Sequence, residues 1–356
     1  MYWFWSPWIA GPWQFAVAFV AVATASWVAT AIVRRVLIGW QVYDEPNHRS
    51  SHARPTPRGG GLAVVPVVLA ALAAAAISGD SAAPAFWLVV AGALLLAAMS
   101  WADDLKPRPA SLRFGMQVAA VALGLWSLGD ATVFQGLLPL PVDRVLTALL
   151  WLWFINLFNF MDGIDGITAV ETISIGVGLA LVASSGLLHF PLDSIAGAAP
   201  AAAALGFLLW NWAPARIFLG DVGSVPLGYL LGWLLLVTAA VGHEWEAALI
   251  LPLYYLADAS LTLAKRALRR EKLWRAHREH FYQRAVQRGF SHAAVTARVA
   301  ACNTILVVLA VAAPFAPPEQ FWICPVLALL AVAGLLFMLA NQRPPAAGPR
   351  STPPQP

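Results

Sequence analysis

The stretch "RVLTALLWLWFINLFNFMDGIDGIT" (144–168) decides the fold, because an apolar run is followed at once by a dense polar motif. Asn156, Asn159, Asp162 and Asp165 follow one another at a spacing of three residues. Four such groups at membrane depth are costly unless the protein uses them. The stretch therefore predicts a lipid-embedded helix that ends in a functional polar cluster. The simpler interpretation is a polar helix end with turn residues.

The composition of the whole chain indicates a membrane protein. Of 356 residues, 60% are hydrophobic and 11% are charged, whereas soluble domains are about 25% charged. We predict an all-α polytopic membrane protein with one membrane domain over 1–340 and a Pro-rich, disordered tail over 341–356. The start of the chain has no basic region before its apolar stretch, which argues against a cleaved signal peptide. The two cysteines indicate neither a disulfide framework nor a metal site.

About eleven stretches of the chain are candidate spans, since a spanning helix needs roughly 20 mainly apolar residues. Several are short or merge with a neighbour, and two of the Ala-rich ones are the weakest. The candidates are 13–33, 62–78, 84–102, 112–129, 143–160, 167–188, 194–212, 223–241, 247–265, 298–316 and 320–340.

The basic residues predict the orientation, because short loops rich in lysine and arginine stay in the cytoplasm. With these spans, 21 of the 22 lysines and arginines fall on alternate loops, and Arg144 falls on the other side. The N-terminus is therefore predicted to face outward and the C-terminus inward. The aromatic start "MYWFWSPWIAGPWQF" (1–15) suits an interfacial belt at the outer surface.

Five polar clusters all fall on the predicted cytoplasmic side, whereas the outer loops carry scattered acids. This one-sidedness predicts a site at the inner face of the membrane. The clusters are "YDEPNHRSSHARPTPRGGG" (43–61), "ADDLKPRPASLRFGMQ" (102–117), "NLFNFMDGIDG" (156–166), "NWAPARIFLGDVGS" (211–224) and "KRALRREKLWRAHREHFYQR" (265–284).

Two clusters place carboxylates where phosphate or a metal ion could bind. Asp103 and Asp104 end a predicted span. Adjacent carboxylates often only mark a helix boundary, but a divalent cation offsets their repulsion and favours a metal or phosphate site. In "IFLGDVGSVPLG" (217–228), glycines flank Asp221, and the following helix offers its N-terminal N–H groups to a pyrophosphate. A Gly-Asp turn with a serine cap is the simpler interpretation.

The central motif predicts a helix that breaks. Asn156 and Asn159 can share one helix face, because a spacing of three turns each residue by roughly 60° against the last. A straight helix would carry Asp165 away from that face. We therefore expect Gly163 and Gly166 to break the helix and to bring both aspartates of the motif round.

Two basic clusters suit anions. In the first loop, Arg49, His52 and Arg58 accompany three glycines, and their side chains and backbone N–H groups suit a phosphate at headgroup level. A flexible basic loop is the alternative. In the fifth loop, His277 and His280 would share a face if helical. The two histidines could bind zinc, but no third ligand stands nearby, so this cluster suits a nucleotide phosphate better. The alternative is a solvated basic face under acidic lipids.

Taken together, the clusters resemble the polyprenyl-phosphate N-acetylhexosamine-1-phosphate transferase family, which includes the phospho-MurNAc-pentapeptide translocase and the WecA-like enzymes. The matching elements are "DD" at 103–104 with Arg113 and Gln117, "NxxNxxDGIDG" at 156–166, "IFLGDVGSxxLG" at 217–228 and the histidine-containing fifth loop. The translocase carries "APIHHHFE" in that loop, and many WecA-like enzymes carry "HIHHL". The "HREHFYQR" found here looks like the branch that starts O-antigen synthesis, and it argues against the translocase, which stays the runner-up.

The resemblance implies a reaction at the bacterial inner membrane. Undecaprenyl phosphate in the bilayer would attack the sugar-linked phosphorus of a UDP-N-acetylhexosamine, of GlcNAc type or 6-deoxy, and UMP would leave. Mg²⁺, with Mn²⁺ as an alternative, would be the cofactor. We expect no nucleic acid partner and leave a homodimer open. A secondary transporter is the rival from another class, but transporters bind near the midplane and often repeat their halves.

The resemblance also assigns roles to residues. A phosphate monoester is mostly dianionic at neutral pH, so we expect electrostatics to matter more than a strong base. The implied catalytic residues are Asp103, Asp104, Asp162 and Asp165, the implied metal ligands are Asp221 and Asn159, and the implied substrate-binding residues are Arg49, His52, Arg58, Arg113, Asn156, His277, His280 and Arg284.

Overall fold

The computed structural model describes residues 12–46, 54–78, 84–184, 194–272 and 277–342, and it is built mainly of α-helices. The helices are α1 (Pro12–Gly39), α2 (Gly61–Ser78), α3 (Pro84–Leu105), α4 (Ala110–Trp126), α5 (Leu140–Phe160), α6 (Ile167–Ser184), α7 (Ser194–Asn211), α8 (Asp221–Ala240), α9 (Trp245–Ile250), α10 (Leu253–Leu268), α11 (Phe281–Gln287), α12 (His292–Ala312) and α13 (Ile323–Asn341). A two-stranded sheet pairs β1 (Tyr43–Asp44) with β2 (Thr56–Pro57) in antiparallel register.

Within the described residues, seven helices are long and apolar enough to cross a membrane. They are α1, α3, α5, α6, α8, α12 and α13, while α2, α4 and α7 hold shorter apolar stretches. The protein is therefore a multi-pass helical membrane protein. Each predicted span overlaps a helix, but the ninth, 247–265, is divided into α9 and α10 at Pro252, which lacks the N–H that a continuous helix needs. The number eleven and the orientation stay predictions.

Helix α8 lies at the centre of the helix bundle. Over the most apolar 18 residues of α8, 94% are buried. The helix packs against α2, α3 and α5. Tyr229 stacks on Trp151 with ring centroids 4.7 Å apart, and Trp151 approaches closely because Gly124 and Gly232 have no Cβ. This packing fixes the start of α8, at Asp221, in the middle of one end of the bundle.

The first loop is tied to the segment that precedes α8. Arg58 pairs with Phe218 in a parallel bridge, and the N–H groups of Gly59 and Gly60 donate to the Phe218 carbonyl at 3.1 and 2.8 Å. A Cβ on Gly61 would lie 2.2 Å from Gly223 of α8. The three glycines therefore permit close backbone packing, and they bring Arg58 to the start of α8.

Candidate active site

Arg58 lies between two carboxylates at the start of α8. Its Nη2 atom is 2.9 Å from Oδ1 of Asp104 and 2.9 Å from Oδ1 of Asp221. The Asp104 side chain is 1% exposed and that of Asp221 is 24% exposed. Burial lowers the pKa of Arg58, but the negative charges of Asp104 and Asp221 raise it by more. The pKa of Arg58 therefore lies above its ordinary value. The guanidinium is therefore a fixed positive charge.

The side chain of Asp104, which belongs to α3, caps the N-terminus of α8. Its Oδ1 and Oδ2 accept hydrogen bonds from the N–H groups of Asp221 and Val222 at 3.2 and 2.9 Å. The N–H groups of Gly223 and Ser224 donate to the Gly220 carbonyl, both at 3.0 Å. The first four N–H groups of α8 thus all have protein partners. The expectation that α8 offers free N–H groups to a pyrophosphate is not met in this structure, because Asp104 of α3 and the Gly220 carbonyl accept their hydrogen bonds.

The first loop also differs from the prediction. The N–H groups of Gly59 and Gly60 are used by Phe218, and that of Gly61 donates to the Leu219 carbonyl at 2.8 Å. They are therefore not donors for a phosphate, and the proposed flexible loop is a packed one at this point. Arg58 joins the cluster. Arg49 and His52 lie outside the described residues.

The two asparagines of the central motif reach different neighbours. Asn159 Nδ2 donates to Asp221 Oδ1 at 3.2 Å and to Ser224 Oγ at 2.8 Å. Asn156 Nδ2 instead donates to Gln117 Oε1 at 2.8 Å, which ties α5 to α4. The structure therefore places Asn159 in the Arg58–Asp104–Asp221 cluster and leaves Asn156 in an interhelical contact.

Asp162 is electrostatically part of the same cluster. It is half-buried in the loop between α5 and α6. Its pKa is raised from 3.8 to about 7, first by burial and then by the charges of Asp221 and Asp104, while the hydrogen bond from Thr168 and the charge of Arg58 act in the opposite direction. Protonated and ionised forms of this carboxyl are therefore both populated near neutral pH.

Asp165 lies apart from the cluster. One oxygen is 3.3 Å from His292 Nδ1 and the other accepts from the Ala215 N–H at 3.1 Å. Its carbonyl accepts from Thr296 Oγ1 at 2.9 Å. Gly166 has a φ of +78°, so the chain does break there as predicted. The break nevertheless brings Asp162, and not Asp165, to the Asp221 carboxylate, because α12 and the segment before α8 hold Asp165.

Asp103 pairs within the junction between α3 and α4. Its Oδ1 accepts from the Arg108 N–H at 2.5 Å, and its Oδ2 accepts from Arg113 Nη1 at 3.1 Å. The resemblance predicts that Asp103 and Arg113 act on substrate or metal. The structure joins Asp103 and Arg113 to each other beside the cluster, with the Arg113 side chain 46% exposed. Their action on substrate or metal stays a prediction.

The fifth loop is held by a carboxylate inside the bundle. Asp258 of α10 is fully buried, and its Oδ1 lies 3.1 Å from His280 Nδ1 and accepts the Phe281 N–H at 3.0 Å. His277 and His280 would share a face only if they were helical, and they are not, because α11 begins after His280. Their rings still stack, with centroids 4.9 Å apart. Burial, with the neighbouring His280 and Arg266, lowers the pKa of His277 to about 4, so this ring is neutral at pH 7.

Arg284 lines a cavity formed by α10 and the fifth loop. The cavity has a volume of about 310 Å³, and Phe281 forms part of its wall with Lys265 lying 4.4 Å from the ring centroid. The remaining lining residues combine charged and apolar groups. They are Thr262, Leu268, Arg269 and Glu279.

Comparison with known proteins identifies the family of this chain. The model of the glycosyl transferase family 4 matches residues 86–239. A decaprenyl-phosphate N-acetylglucosaminephosphotransferase of Mycolicibacterium smegmatis is 31% identical over 78% of this chain and 77% of its own length. A probable undecaprenyl-phosphate N-acetylglucosaminyl 1-phosphate transferase of Bacillus subtilis is 29% identical over 78% of this chain and 79% of its own length. The chain belongs to the glycosyl transferase family 4.

The matched region of the glycosyl transferase family 4 contains most of the cluster but not all of it. Asp104, Asn159, Asp162 and Asp221 lie inside residues 86–239. Arg58 lies outside that region and reaches the cluster through the packed first loop. The site of this family member is therefore assembled from the matched helices and from the segment that precedes them.

Several residues that hold the site were not predicted as site residues. Asp258 anchors the fifth loop, and His292 holds Asp165. Asn211 accepts a hydrogen bond from the Gly166 N–H and donates one to the Ile217 carbonyl, both at 2.9 Å. Each is a polar residue within a helix or at the end of one. The cost of a polar group in lipid was the available signal for Asp258.

The oxygen atoms of the cluster fit a magnesium ion. Mg²⁺ binds through one or two carboxylates, with water and substrate phosphates completing its octahedron. Asp221 and Asp162 supply carboxylates and Asn159 supplies an amide, all hard donors. Within the described residues, no group of three or more histidine, cysteine or acidic side chains forms a closed metal site. A magnesium ion that shares its coordination with substrate agrees with such an open arrangement.

Proposed function

We propose that this protein transfers an N-acetylhexosamine 1-phosphate from a UDP-sugar to a polyprenyl phosphate, in the first step of a surface glycan. The observation that carries the proposal is the cluster of Arg58, Asp104, Asn159 and Asp221 where membrane helices end. One substrate would be a lipid phosphate and the other a water-soluble nucleotide. Their chemistry must meet at the membrane surface, and this cluster suits that place.

The proposed reaction exchanges one phosphorus–oxygen bond for another. An oxygen of the lipid phosphate bonds to the sugar-linked phosphorus of the UDP-sugar. The bond from that phosphorus to the bridging oxygen breaks, and UMP leaves with the electron pair. At neutral pH the attacking phosphate is mostly dianionic, because its second pKa is about 6. The step therefore requires positioning and charge stabilisation more than proton removal.

The side chains of the cluster divide these tasks. Arg58 supplies a fixed positive charge toward phosphate oxygens, and its two carboxylate partners hold its orientation. Asp221 and Asp162, with Asn159, would hold Mg²⁺, which supplies positive charge to the pyrophosphate when bound. Asp104 is engaged with two N–H groups of α8 and with Arg58. These contacts favour a positioning role for Asp104 over proton transfer.

The fifth loop is the proposed site for the nucleotide half of the donor. His277 is half-buried and neutral at pH 7, so it offers a hydrogen bond and a ring to stack on rather than a charge. Arg284 supplies positive charge at the edge of the same loop. We propose Mg²⁺ as the cofactor, with Mn²⁺ as a substitute, and a donor of GlcNAc type or 6-deoxy N-acetylhexosamine type. The relatives that carry GlcNAc transferase names favour the first.

The test uses the full chain purified in detergent. The assay follows UMP release with undecaprenyl phosphate, Mg²⁺ and a panel of UDP-N-acetylhexosamines that includes UDP-MurNAc-pentapeptide. We expect UMP with an N-acetylhexosamine donor only when the lipid phosphate and the metal are both present. In Asp221→Asn we expect at least a hundredfold loss of rate, the scale for removing a charged group that acts on the transition state.

Three outcomes would contradict parts of the proposal. If folded protein releases no UMP with any donor, the transferase assignment fails. If the peptidoglycan donor alone is used, the translocase takes its place. If UMP forms and Asp221→Asn retains full rate, the reaction stands but the role of Asp221 at the metal fails. Asp130→Asn is the control, since Asp130 is an exposed acid between α4 and α5 to which no role in the reaction is assigned.

A further inference from the structure

Tyr282 connects the fifth loop to the end of α5. The residue is fully buried, and its hydroxyl donates a hydrogen bond to the Phe160 carbonyl at 3.2 Å. Phe160 is the last residue of α5, and the last carbonyls of a helix have no partner within the helix. The hydroxyl therefore satisfies a helix-end carbonyl two residues before Asp162.

The chain opposite this hydroxyl has no room for a side chain. A Cβ on Gly163 would lie 2.2 Å from Tyr282 Oη and 3.1 Å from Cζ. Gly163 does not have the positive φ that its neighbour Gly166 has. The glycine is thus required by the hydroxyl of Tyr282 rather than by its own backbone conformation. Asp162 lies directly between this contact and the hydrogen bond at Phe160.

The other side of Tyr282 is fixed to the bundle. Its N–H donates to Asp258 Oδ2 at 3.3 Å, and Oδ1 of the same carboxylate lies 3.1 Å from His280 Nδ1. The ring of His280 stacks on that of Tyr282 with centroids 5.7 Å apart. Since His277 stacks on His280 in turn, a continuous set of ring contacts runs from His277 to the Asp162 loop.

We propose that Tyr282 is a positioning residue that sets the place of Asp162 from the fifth loop. The inference rests on the proposed function, in which the fifth loop binds the nucleotide and Asp162 faces the metal and the pyrophosphate. A shift of His277 or His280 against a bound nucleotide is passed to the Asp162 loop through the Tyr282 hydroxyl. Removal of that hydroxyl uncouples the two.

The first test compares two buried tyrosines. Tyr282→Phe removes the hydrogen bond to Phe160, and Tyr229→Phe removes a matched one, from a fully buried hydroxyl to the Ala120 carbonyl at 3.1 Å. For Tyr282→Phe we expect kcat to fall about tenfold, the equivalent of one lost hydrogen bond. The half-saturating Mg²⁺ concentration rises, and the donor KM changes less. For Tyr229→Phe we expect kcat within about twofold of the unmodified protein, with a comparable loss of thermal stability.

The second test is a double-mutant cycle. Gly163→Ala places a methyl group against Tyr282 Oη, so we expect lower activity and a lower unfolding temperature. Tyr282→Phe in the Gly163→Ala background removes the oxygen at 2.2 Å and leaves Cζ at 3.1 Å. Both activity and unfolding temperature should then partly recover. Recovery on combining two harmful changes is a coupling that independent sites do not show.

The outcomes separate this proposal from the proposed function. If the unmodified protein releases no UMP, the function fails, while the unfolding temperatures of the cycle still decide whether Tyr282 and Gly163 are coupled. If the protein is active and Tyr282→Phe behaves like Tyr229→Phe, the positioning role fails and the function stands. Losses that simply add in the double variant, in activity and in stability, would also overturn the coupling.

Discussion

Arg58 determines how much negative charge the cluster presents to its surroundings. Its guanidinium is bonded to Asp104 and Asp221, and it also acts on Asp162. Three carboxyl groups therefore share one positive charge in a partly buried place. Such an excess favours either a cation or a proton. The pKa of Asp162 is raised to about 7, first by burial and then by the charges of Asp221 and Asp104.

Asp162 gives a pH-dependent prediction. Because its pKa is raised to about 7, the folded protein holds a proton there that the unfolded chain loses near pH 4. This contribution to stability is present at low pH and is lost as the pH rises through 7. Binding of Mg²⁺ must displace the same proton. We expect Mg²⁺ affinity to rise about tenfold from pH 6 to pH 8.

Calorimetric titration of Mg²⁺ at several pH values measures this effect. Asp162→Asn should weaken binding and flatten its pH dependence. Without metal, the same change should raise the unfolding temperature at pH 8 more than at pH 6, because it removes an unfavourable charge. A variant that keeps the steep pH dependence would show that another group releases the proton.

Helix α8 begins at a charged cap supplied by another helix. Asp104, the residue before the last one of α3, accepts from two N–H groups at the start of α8. Negative charge at a helix N-terminus is favourable, and the near-complete burial of this carboxylate makes its hydrogen bonds difficult for water to replace. The pair "DD" thus has two different members, one buried and structural and one facing Arg113.

The two adjacent aspartates therefore predict different losses of stability. Asp104→Ala leaves two N–H groups of α8 without their partner and removes one of the two carboxylates that contact Arg58 Nη2, at a cost of about 1–3 kcal/mol. Asp103→Ala breaks an ion pair with a half-exposed Arg113, which is worth about 0–1 kcal/mol, and frees the exposed Arg108 N–H, which water can then bind. Thermal unfolding in detergent compares the two variants. A larger loss for Asp103→Ala would mean that the cap contributes little.

The sequence predicts the helices far better than it predicts the partners of their ends. Long apolar stretches reveal spans because lipid requires them. The partners of Asp104 could not be predicted, since nothing local indicates that the end of α3 meets the start of α8. Gly163 was expected to bend the chain, whereas it makes room for Tyr282. A contact between residues that are 119 positions apart in the chain requires the packed structure.

At the scale of the whole molecule, polar groups lie inside the bundle as well as at its end. Asn303 of α12 donates to Glu171 of α6 at 2.7 Å, and both side chains are fully buried. Together with the contacts of His292 and Thr296 to Asp165, this hydrogen bond joins α6 to α12 at several depths. The Asp162 loop leads into α6, so the contacts between α6 and α12 also help to hold this loop in place.

The topology of the whole molecule is the last prediction. The distribution of basic residues places the loop around Leu137 outside the cell and the fifth loop, with Leu268, in the cytoplasm. These two side chains are equally accessible, at 84% and 85% exposure. Single changes Leu137→Cys and Leu268→Cys, in a background with Cys302→Ala and Cys324→Ala, therefore form a matched pair. The removed cysteines are both buried, so their loss leaves the surface unchanged.

A membrane-impermeant maleimide then reports the side of each position in intact bacterial spheroplasts. We expect Leu137→Cys to be labelled at once and Leu268→Cys to be labelled only after lysis. This result places the cluster at the start of α8 on the cytoplasmic face, where a nucleotide donor is available. The reverse pattern would place the cluster on the outer face, where no cytosolic UDP-sugar reaches it. An odd error in the number of spans between the two positions would place both on the same side of the membrane. Equal labelling of both positions would therefore show that this count is wrong.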